Sequence, residues 1–260
     1  MSRYAAMFER LNSEGAFGAF LMLGDPDLET SARLLDAVIE GGADMVEVGI
    51  PFSDPVADGP VIQAAAQRAL KAGVRVGDCL DLIESLRARN SSVPIGILTY
   101  ANIVAARPGF MRDAAEAGAD SLLIADVPAF EAEPFAREMQ QAGIEPVLIA
   151  AANTPDETLR SIASLSKAYT YCVSRVGITG THAGGQFDAQ LIDRLKDAGA
   201  APPVFGFGIS KPEHVGAALA TGAKGVICGS AIVDLVSRRE DVRGFVQSLK
   251  AVTRNDSVAE

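Results

Sequence analysis

The sequence contains no tryptophan, only two histidines and only three cysteines, and each scarcity closes off a kind of chemistry. Cys79, Cys172 and Cys228 are far apart and odd in number, so they form neither a disulfide framework nor a metal-binding spacing. Cys172 and Cys228 sit in apolar runs and read as buried, reduced thiols. His182 and His214 have no partners at metal-ligand spacing, and no serine–histidine–acid set is apparent, so both read as solvated side chains and no metal site is expected. Basic residues are in deficit as well: 23 Lys and Arg against 33 Asp and Glu give a formal charge of -10. A diffuse acidic balance argues against a nucleic-acid partner, which needs basic surface, but leaves room for a phosphorylated small molecule at a local site. No apolar run is long enough to span a bilayer and the start MSRYAAMFERLNSEG lacks a signal-peptide core, so a cytoplasmic protein with no membrane partner is expected.

What is present is a regular alternation. With 48% hydrophobic and 22% charged residues the chain is globular in composition. Short apolar runs at 16–23, 45–49, 95–100, 121–126, 146–150, 169–173, 204–208 and 225–228 read as eight strands, rich in Val, Ile and Leu on both faces. Between them lie helical patterns. SARLLDAVIEGGAD places Leu34, Leu35, Val38 and Ile39 on one stripe and closes on Gly41-Gly42, and three other helices close at Gly118, Gly143 and Gly199. Thr154-Pro155 reads as an N-cap with a first-turn proline, and Ser210 to Glu213 as a capping box. Strict β-then-α order implies a parallel sheet. The turn after the first strand reads Leu23-Gly24-Asp25-Pro26 rather than a glycine-rich dinucleotide turn, which favours closure over an open doubly wound sheet. The fold class is therefore α/β: a single (β/α)8 TIM barrel over residues 1–260. An extra N-terminal helix, marked by Tyr4, Met7, Phe8 and Leu11, is available to cover the barrel floor.

In such barrels the site lies at the C-terminal strand ends. Glu47 stands out there, because it interrupts the apolar run Met45-Val46-Glu47-Val48-Gly49-Ile50. A carboxylate in that setting is either a structural ion pair or a general acid/base whose pKa is raised by desolvation, and the strand-end position favours the second. The next segment, Pro51-Phe52-Ser53-Asp54-Pro55-Val56-Ala57-Asp58-Gly59-Pro60, is stiffened by prolines and carries two acids; Asp58 is as consistent with a turn as with a functional group. Late in the chain come Gly177-Ile178-Thr179-Gly180, Gly206-Phe207-Gly208 and Gly229-Ser230, the last opening a helix. Glycines at successive strand ends suit a phosphate held by backbone N–H groups and a helix N-terminus. Arg175 and Lys211 lie close by in sequence and read as surface charges. Phe20, Leu98, Tyr100, Leu123, Ile149, Tyr171 and Phe207 fall near strand ends and could wall an apolar pocket, although each taken singly reads as core.

The run from Val46 to Gln63 resembles the signature of tryptophan synthase α subunits. The similarity extends over nearly the whole chain, through Gly24-Asp25-Pro26, Ala125-Asp126-Val127-Pro128, Tyr171 to Gly180, Gly206 to Ser210 and Gly229 to Val233. The resemblance implies a retro-aldol-type cleavage of indole-3-glycerol phosphate to indole and glyceraldehyde 3-phosphate. It assigns Glu47 to proton transfer and Asp58 to the indole N–H. It places the indole among Phe20, Leu98, Tyr100, Leu123, Ile149, Tyr171 and Phe207, and the phosphate at Gly180, Phe207, Gly208, Gly229 and Ser230. Thr179 is expected to meet Asp58 when its loop closes. The resemblance further implies a β subunit as partner, in an α2β2 assembly, faced by Pro51, Asp54, Asn102 and Asp126. Pyridoxal phosphate is expected only in that partner, and no cofactor in this chain. Met22-Leu23 and Val176 depart from the residues common in the family at those positions. Three other readings compete: a different phosphate-binding barrel enzyme, a stand-alone lyase, and a catalytically silent activator of a β subunit.

Overall fold

The computed structural model describes residues 1–173 and 187–254. Its strands are β1 Ala16–Met22, β2 Met45–Gly49, β3 Ile95–Thr99, β4 Ser121–Ile124, β5 Glu145–Pro146, β6 Leu148–Ala151, β7 Thr170–Val173, β8 Pro203–Phe205 and β9 Gly225–Cys228. Every paired neighbour is parallel, in the order β5-β4-β3-β2-β1-β9-β8-β7-β6. The two ends of that order, β5 and β6, are pieces of one strand interrupted at Val147, so the sheet closes on itself as an eight-stranded barrel. Val147 N–H still bonds Leu122 O at 3.0 Å on the β4 side, whereas Leu148 N–H turns to Ser166 Oγ at 3.0 Å. The helices are α1 Arg3–Leu11, α2 Leu28–Glu40, α3 Pro60–Lys71, α4 Val76–Arg89, α5 Ala101–Ala106, α6 Phe110–Glu116, α7 Ala132–Gln141, α8 Asp156–Leu165, α9 Ala189–Asp197, α10 Pro212–Leu219, α11 Ser230–Arg238 and α12 Val242–Ala251. Among the described residues no helix is long and apolar enough to cross a membrane.

The eight strands stand where the apolar runs place them, with local differences. The strand expected over 204–208 ends at Phe205, because the chain leaves the sheet through Gly206 and Gly208, the latter at φ 80°. Helix ends follow the glycine signal: Gly42, Gly118, Gly143 and Gly199 all have positive φ one residue past their caps. Two helix starts differ. Lys211, not Ser210, caps α10, and in place of the expected capping box His214 Nδ1 accepts the Ser210 N–H at 3.3 Å. Pro155 caps α8, while Thr154 Oγ1 accepts from Ala151 N–H at the end of β6.

Burial divides into two apolar layers. The outer one lies between barrel and helices, and includes Phe17, Val46, Val48, Ile97, Leu122 and Phe205. The inner one fills the barrel with Phe20, Met45, Leu123, Tyr169, Tyr171 and Ile227. Alternation along each strand produces this division, since successive side chains point to opposite faces. Helix α1 closes the floor. Its Tyr4, Met7 and Leu11 join the inner layer, and the Tyr4 ring lies 5.5 Å from that of Tyr169.

Two aspartates, Asp44 buried and Asp120 partly buried, fasten the floor. Asp120 accepts from Ile95 N–H (2.7 Å) and from Arg87 (2.6 Å), while Arg3 of α1 reaches it at 2.7 Å. Asp44 accepts from Phe17 N–H at 2.9 Å, from Lys250 Nζ at 2.7 Å and from Arg10 at 3.1 Å, joining β1, α12 and α1. Lys250 is itself buried, with Glu14 at 4.0 Å as its other acidic neighbour. Asp44→Ala therefore strands a buried ammonium and should cost about 3–5 kcal/mol in urea unfolding. A loss under about 1 kcal/mol would show that the clamp carries little of the fold's stability.

Candidate active site

Glu47 lies mid-strand in β2, in register with Phe20 on β1 and Gly96 on β3. It is 3% exposed. Oε1 accepts from Tyr169 OH at 2.6 Å, and Oε2 has no partner among the described residues. Burial is the largest influence on this carboxyl and pushes its pKa from 4.5 up to about 7; the Tyr169 hydrogen bond opposes that shift and the charge of nearby Asp58 adds to it. A group titrating there populates both protonation states at neutral pH, as an acid that must also act as a base requires. The barrel makes room for these groups with Gly96. A Cβ at that position would lie 2.7 Å from Ser121 Oγ and 2.9 Å from Tyr4 OH, two atoms that hydrogen-bond each other at 2.8 Å.

Asp58 is housed differently. It ends the mostly exposed segment 53–57, two residues before α3. Its Oδ2 accepts from Tyr100 OH at 2.9 Å, and the same hydroxyl accepts from Ala57 N–H at 3.3 Å. Gln63 Nε2 donates to the Asp58 carbonyl at 2.8 Å. Burial raises the Asp58 pKa and the Tyr100 hydrogen bond lowers it. Tyr100, expected in the apolar wall, is buried outside the inner layer, with its ring 5.2 Å from Phe52 and its hydroxyl committed to Asp58. The role of Gln63 was not read from the sequence, although it closes the Val46-to-Gln63 run; a polar residue one turn into a helix after an acid was the available signal.

The other six expected wall residues come together. Phe20, Leu123 and Tyr171 belong to the inner layer, and Leu98, Ile149 and Phe207 pack on it half-buried. Phe20 spans the mouth: its Cζ would be 2.7 Å from a Cβ on Gly49, and its Cβ 3.6 Å from one on Gly229. Met22, one of the departures from the family pattern, packs beside it, its Cε 3.1 Å from the same Gly49 position. Gly206 serves Tyr171, whose ring would stand about 2 Å from any added Cβ and whose hydroxyl donates to Gly206 O at 3.1 Å. Phe207 meets Tyr171 edge-on at 6.0 Å.

At the far end of Phe20, α11 opens at Ser230 with Gly229 as a cap that offers no side-chain acceptor. The first return bond is Val233 N–H to Gly229 O at 3.1 Å, so the preceding amides have no intrahelical acceptor and are suited to an anion. Helix α10 is a poorer donor end because it begins on Pro212, which has no N–H. Lys211 is exposed there. Arg175, Val176, Thr179, Gly180 and His182 lie outside the described residues.

Of the four residues expected to face a partner, Asp54, Asn102 and Asp126 are exposed and Pro51 is buried. Asn102 stands in the first turn of α5 rather than in a loop, and Asp126 Oδ1 accepts from Ala101 N–H at 2.8 Å. Two exposed apolar residues follow the same strands: Val56 after β2 and Phe130 after β4. All three cysteines are free and buried, and burial pushes each thiol up to about 12. Among the described residues no group of three metal-ligating side chains occurs.

Two carboxyls of unequal housing, one dry and one hydrogen-bonded at the rim, suit proton transfer on a substrate held between an apolar wall and an anion seat. That places the protein among the acid–base enzymes built on (β/α)8 barrels. Comparison with known proteins narrows the class. A family profile described as "Tryptophan synthase alpha chain" matches residues 8–259. The tryptophan synthase alpha chain of Klebsiella pneumoniae is 46% identical over 98% of this chain and 99% of its own length. That of Escherichia coli is 43% identical over 98% and 100%. Among solved structures, a tryptophan synthase from M. tuberculosis superposes with TM-score 0.87 at 29% identity, covering 98% of this chain and all of that one. A tryptophan synthase subunit alpha from Legionella pneumophila superposes with TM-score 0.85 at 28% identity, covering 98% of this chain and 99% of its own. The chain belongs to the tryptophan synthase alpha chain family and is a lyase of tryptophan biosynthesis.

The raised pKa of Glu47 is also a stability statement. The native state favours the protonated carboxyl, so its contribution is complete below about pH 4.5 and is lost as pH rises through about 7. Glu47→Gln removes that loss. Its unfolding free energy should gain on wild type between those limits by up to about 3 kcal/mol, measured by urea titration across pH. A constant difference over that range would mean that Glu47 titrates normally.

Proposed function

We propose that Glu47 and Asp58 together carry out the cleavage of indole-3-glycerol phosphate to indole and glyceraldehyde 3-phosphate. The carrying observation is the unpartnered Oε2 of a buried carboxyl whose pKa lies at about 7. In this reading Asp58 accepts a hydrogen bond from the indole N–H and stabilises the positive charge that develops on the ring. Glu47 delivers its proton to ring carbon C3. The resulting carboxylate then takes the proton from the adjacent side-chain hydroxyl. The carbon–carbon bond breaks, its electron pair restores the aromatic ring, and the hydroxyl carbon becomes the aldehyde of glyceraldehyde 3-phosphate. One group thus gives and regains one proton per turnover, which a pKa near the working pH favours.

The apolar wall of Phe20, Leu98, Leu123, Ile149, Tyr171 and Phe207 fits the indole. The amides that open α11 at Ser230, with Gly229 and the Phe207-Gly208 turn, fit the phosphate. Through the family resemblance, Gly180 belongs to the phosphate assignment and Thr179 to a contact with Asp58 when its loop closes. The whole chain then acts as one catalytic barrel, in keeping with a family match over residues 8–259. The partner is a β subunit, in an α2β2 assembly, that receives the indole and holds the pyridoxal phosphate; no cofactor is assigned to this chain. Exposed Asp54, Asn102 and Asp126, with Val56 and Phe130, support a docking face around the mouth. The working compartment in this reading is the cytoplasm.

Indole release from indole-3-glycerol phosphate, with and without a β subunit, checks this reading. Wild type should turn over slowly alone and faster with the partner. Glu47→Gln should lose at least about a hundredfold, the lower end of what one positioned acid/base contributes, while phosphate binding stays intact. Release of no indole by wild type under either condition would overturn the assignment.

A further inference from the structure

Asp58 ends a segment whose preceding residues 53–57 are mostly exposed, so something else must fix its position. Helix α3 does so from the C-terminal side. Gly59 caps it, Pro60 starts it, and Gln63 reaches back to the Asp58 carbonyl at 2.8 Å. The Asp58 main chain is therefore tied to α3, while Tyr100 OH holds its carboxylate from outside the helix at 2.9 Å. The same helix packs on β1 and α11, and its Ile62, Ala65 and Ala66 share the inner apolar layer with Phe20 and with Val233 of α11. One rod thus spans both ends of the site: Asp58 at its tip, and α11 with the Ser230 amides at its side.

The buried face of that rod is nearly smooth. It consists of Ile62, Ala65, Ala66 and Ala69, and methyl groups interlock poorly, so packing alone resists axial sliding or rotation only weakly. A directional contact supplies the missing restraint. Arg68 Nε and Nη2 reach Asp25 Oδ1 and Oδ2, each at 2.7 Å. Asp25 is 3% exposed and sits in the loop after β1. A planar guanidinium forked onto a buried carboxylate fixes both distance and angle, which a lysine ammonium cannot do.

We propose that Arg68 is a positioning residue for the lyase reaction: its fork onto Asp25 sets the register of α3, and through it the placement of Asp58 against the phosphate seat. This rests on the reading of Asp58 given above. The misplacement produced by loss of the fork weakens the contact of Asp58 with the charge that develops during reaction more than it weakens ground-state binding.

The test compares Arg68→Lys, Arg68→Gln and Asp25→Asn with wild type, each with its β subunit, under conditions where melting curves show the proteins folded. Arg68→Lys keeps the charge and is the variant best able to fold, so it carries the test if the others do not. The expected result is kcat for indole release down about tenfold or more in Arg68→Lys, KM within about twofold, and unchanged protection of the fold by inorganic phosphate. Lower melting temperatures with kcat per folded molecule equal to wild type would reduce the fork to a structural clamp and overturn the proposal. Rescue of kcat by lysine would overturn the register argument as well. An inactive wild type would instead count against the lyase assignment of Asp58, and is told apart from both by the wild-type lane itself.

Discussion

The site depends on one hydrogen bond inside a closed apolar barrel, from Tyr169 OH to Glu47 Oε1. Without it the carboxyl would sit desolvated and unpaired, and its proton would be held too tightly to give away at neutral pH. With a full set of donors, or an arginine beside it, the group would stay ionised and could not act as an acid. A single phenol donor leaves it between those extremes, titrating at about 7. The surroundings serve that balance. Gly96 leaves room for the Tyr4, Ser121 and Tyr169 hydroxyls, α1 seals the floor beneath them, and Asp44 and Asp120 fasten α1 and the early strands in place.

Asp58 shows the complementary solution. It lies at the rim, takes a hydrogen bond from Tyr100 and is carried on the N-terminal end of α3. The proposed mechanism asks opposite things of the two carboxyls, and their environments differ accordingly, one a strand interior and the other a loop braced on a helix. The wall between them is made by the inward faces of β1, β3, β4, β6 and β7, so the shape of the pocket follows from the same alternation that builds the barrel.

The architecture was legible in the sequence because its signals are local. Apolar runs mark the strands, and the αL glycines Gly42, Gly118, Gly143 and Gly199 mark helix ends. The burial of Glu47 was legible for the same reason, a charge in an apolar run. What was not legible depends on distant contacts. The break at Val147 comes from the fifth strand's need to pair β4 at one end and β7 at the other. The commitment of Tyr100 to Asp58, 42 positions earlier, carries no periodic signature, and the brace from Gln63 has only a one-turn spacing to announce it. The capping box at Ser210 failed because His214 competes for the N–H that Glu213 was expected to take. Pro51 reads as a loop surface in sequence and is buried in the fold, so a partner would feel it through the loop's shape rather than by touching it.

The proposed cleavage requires Glu47 to hold a proton at neutral pH. Carboxyl-labelled glutamate, observed by NMR across pH in wild type and in Glu47→Gln, reads that protonation directly. The expected result is one glutamate signal with a midpoint near 7 that is absent from the variant, and that moves higher when Tyr169 is replaced by Phe. A Glu47 signal that titrates in the ordinary range near 4.5 would contradict it, for the carboxyl would then be ionised at neutral pH and have no proton to give.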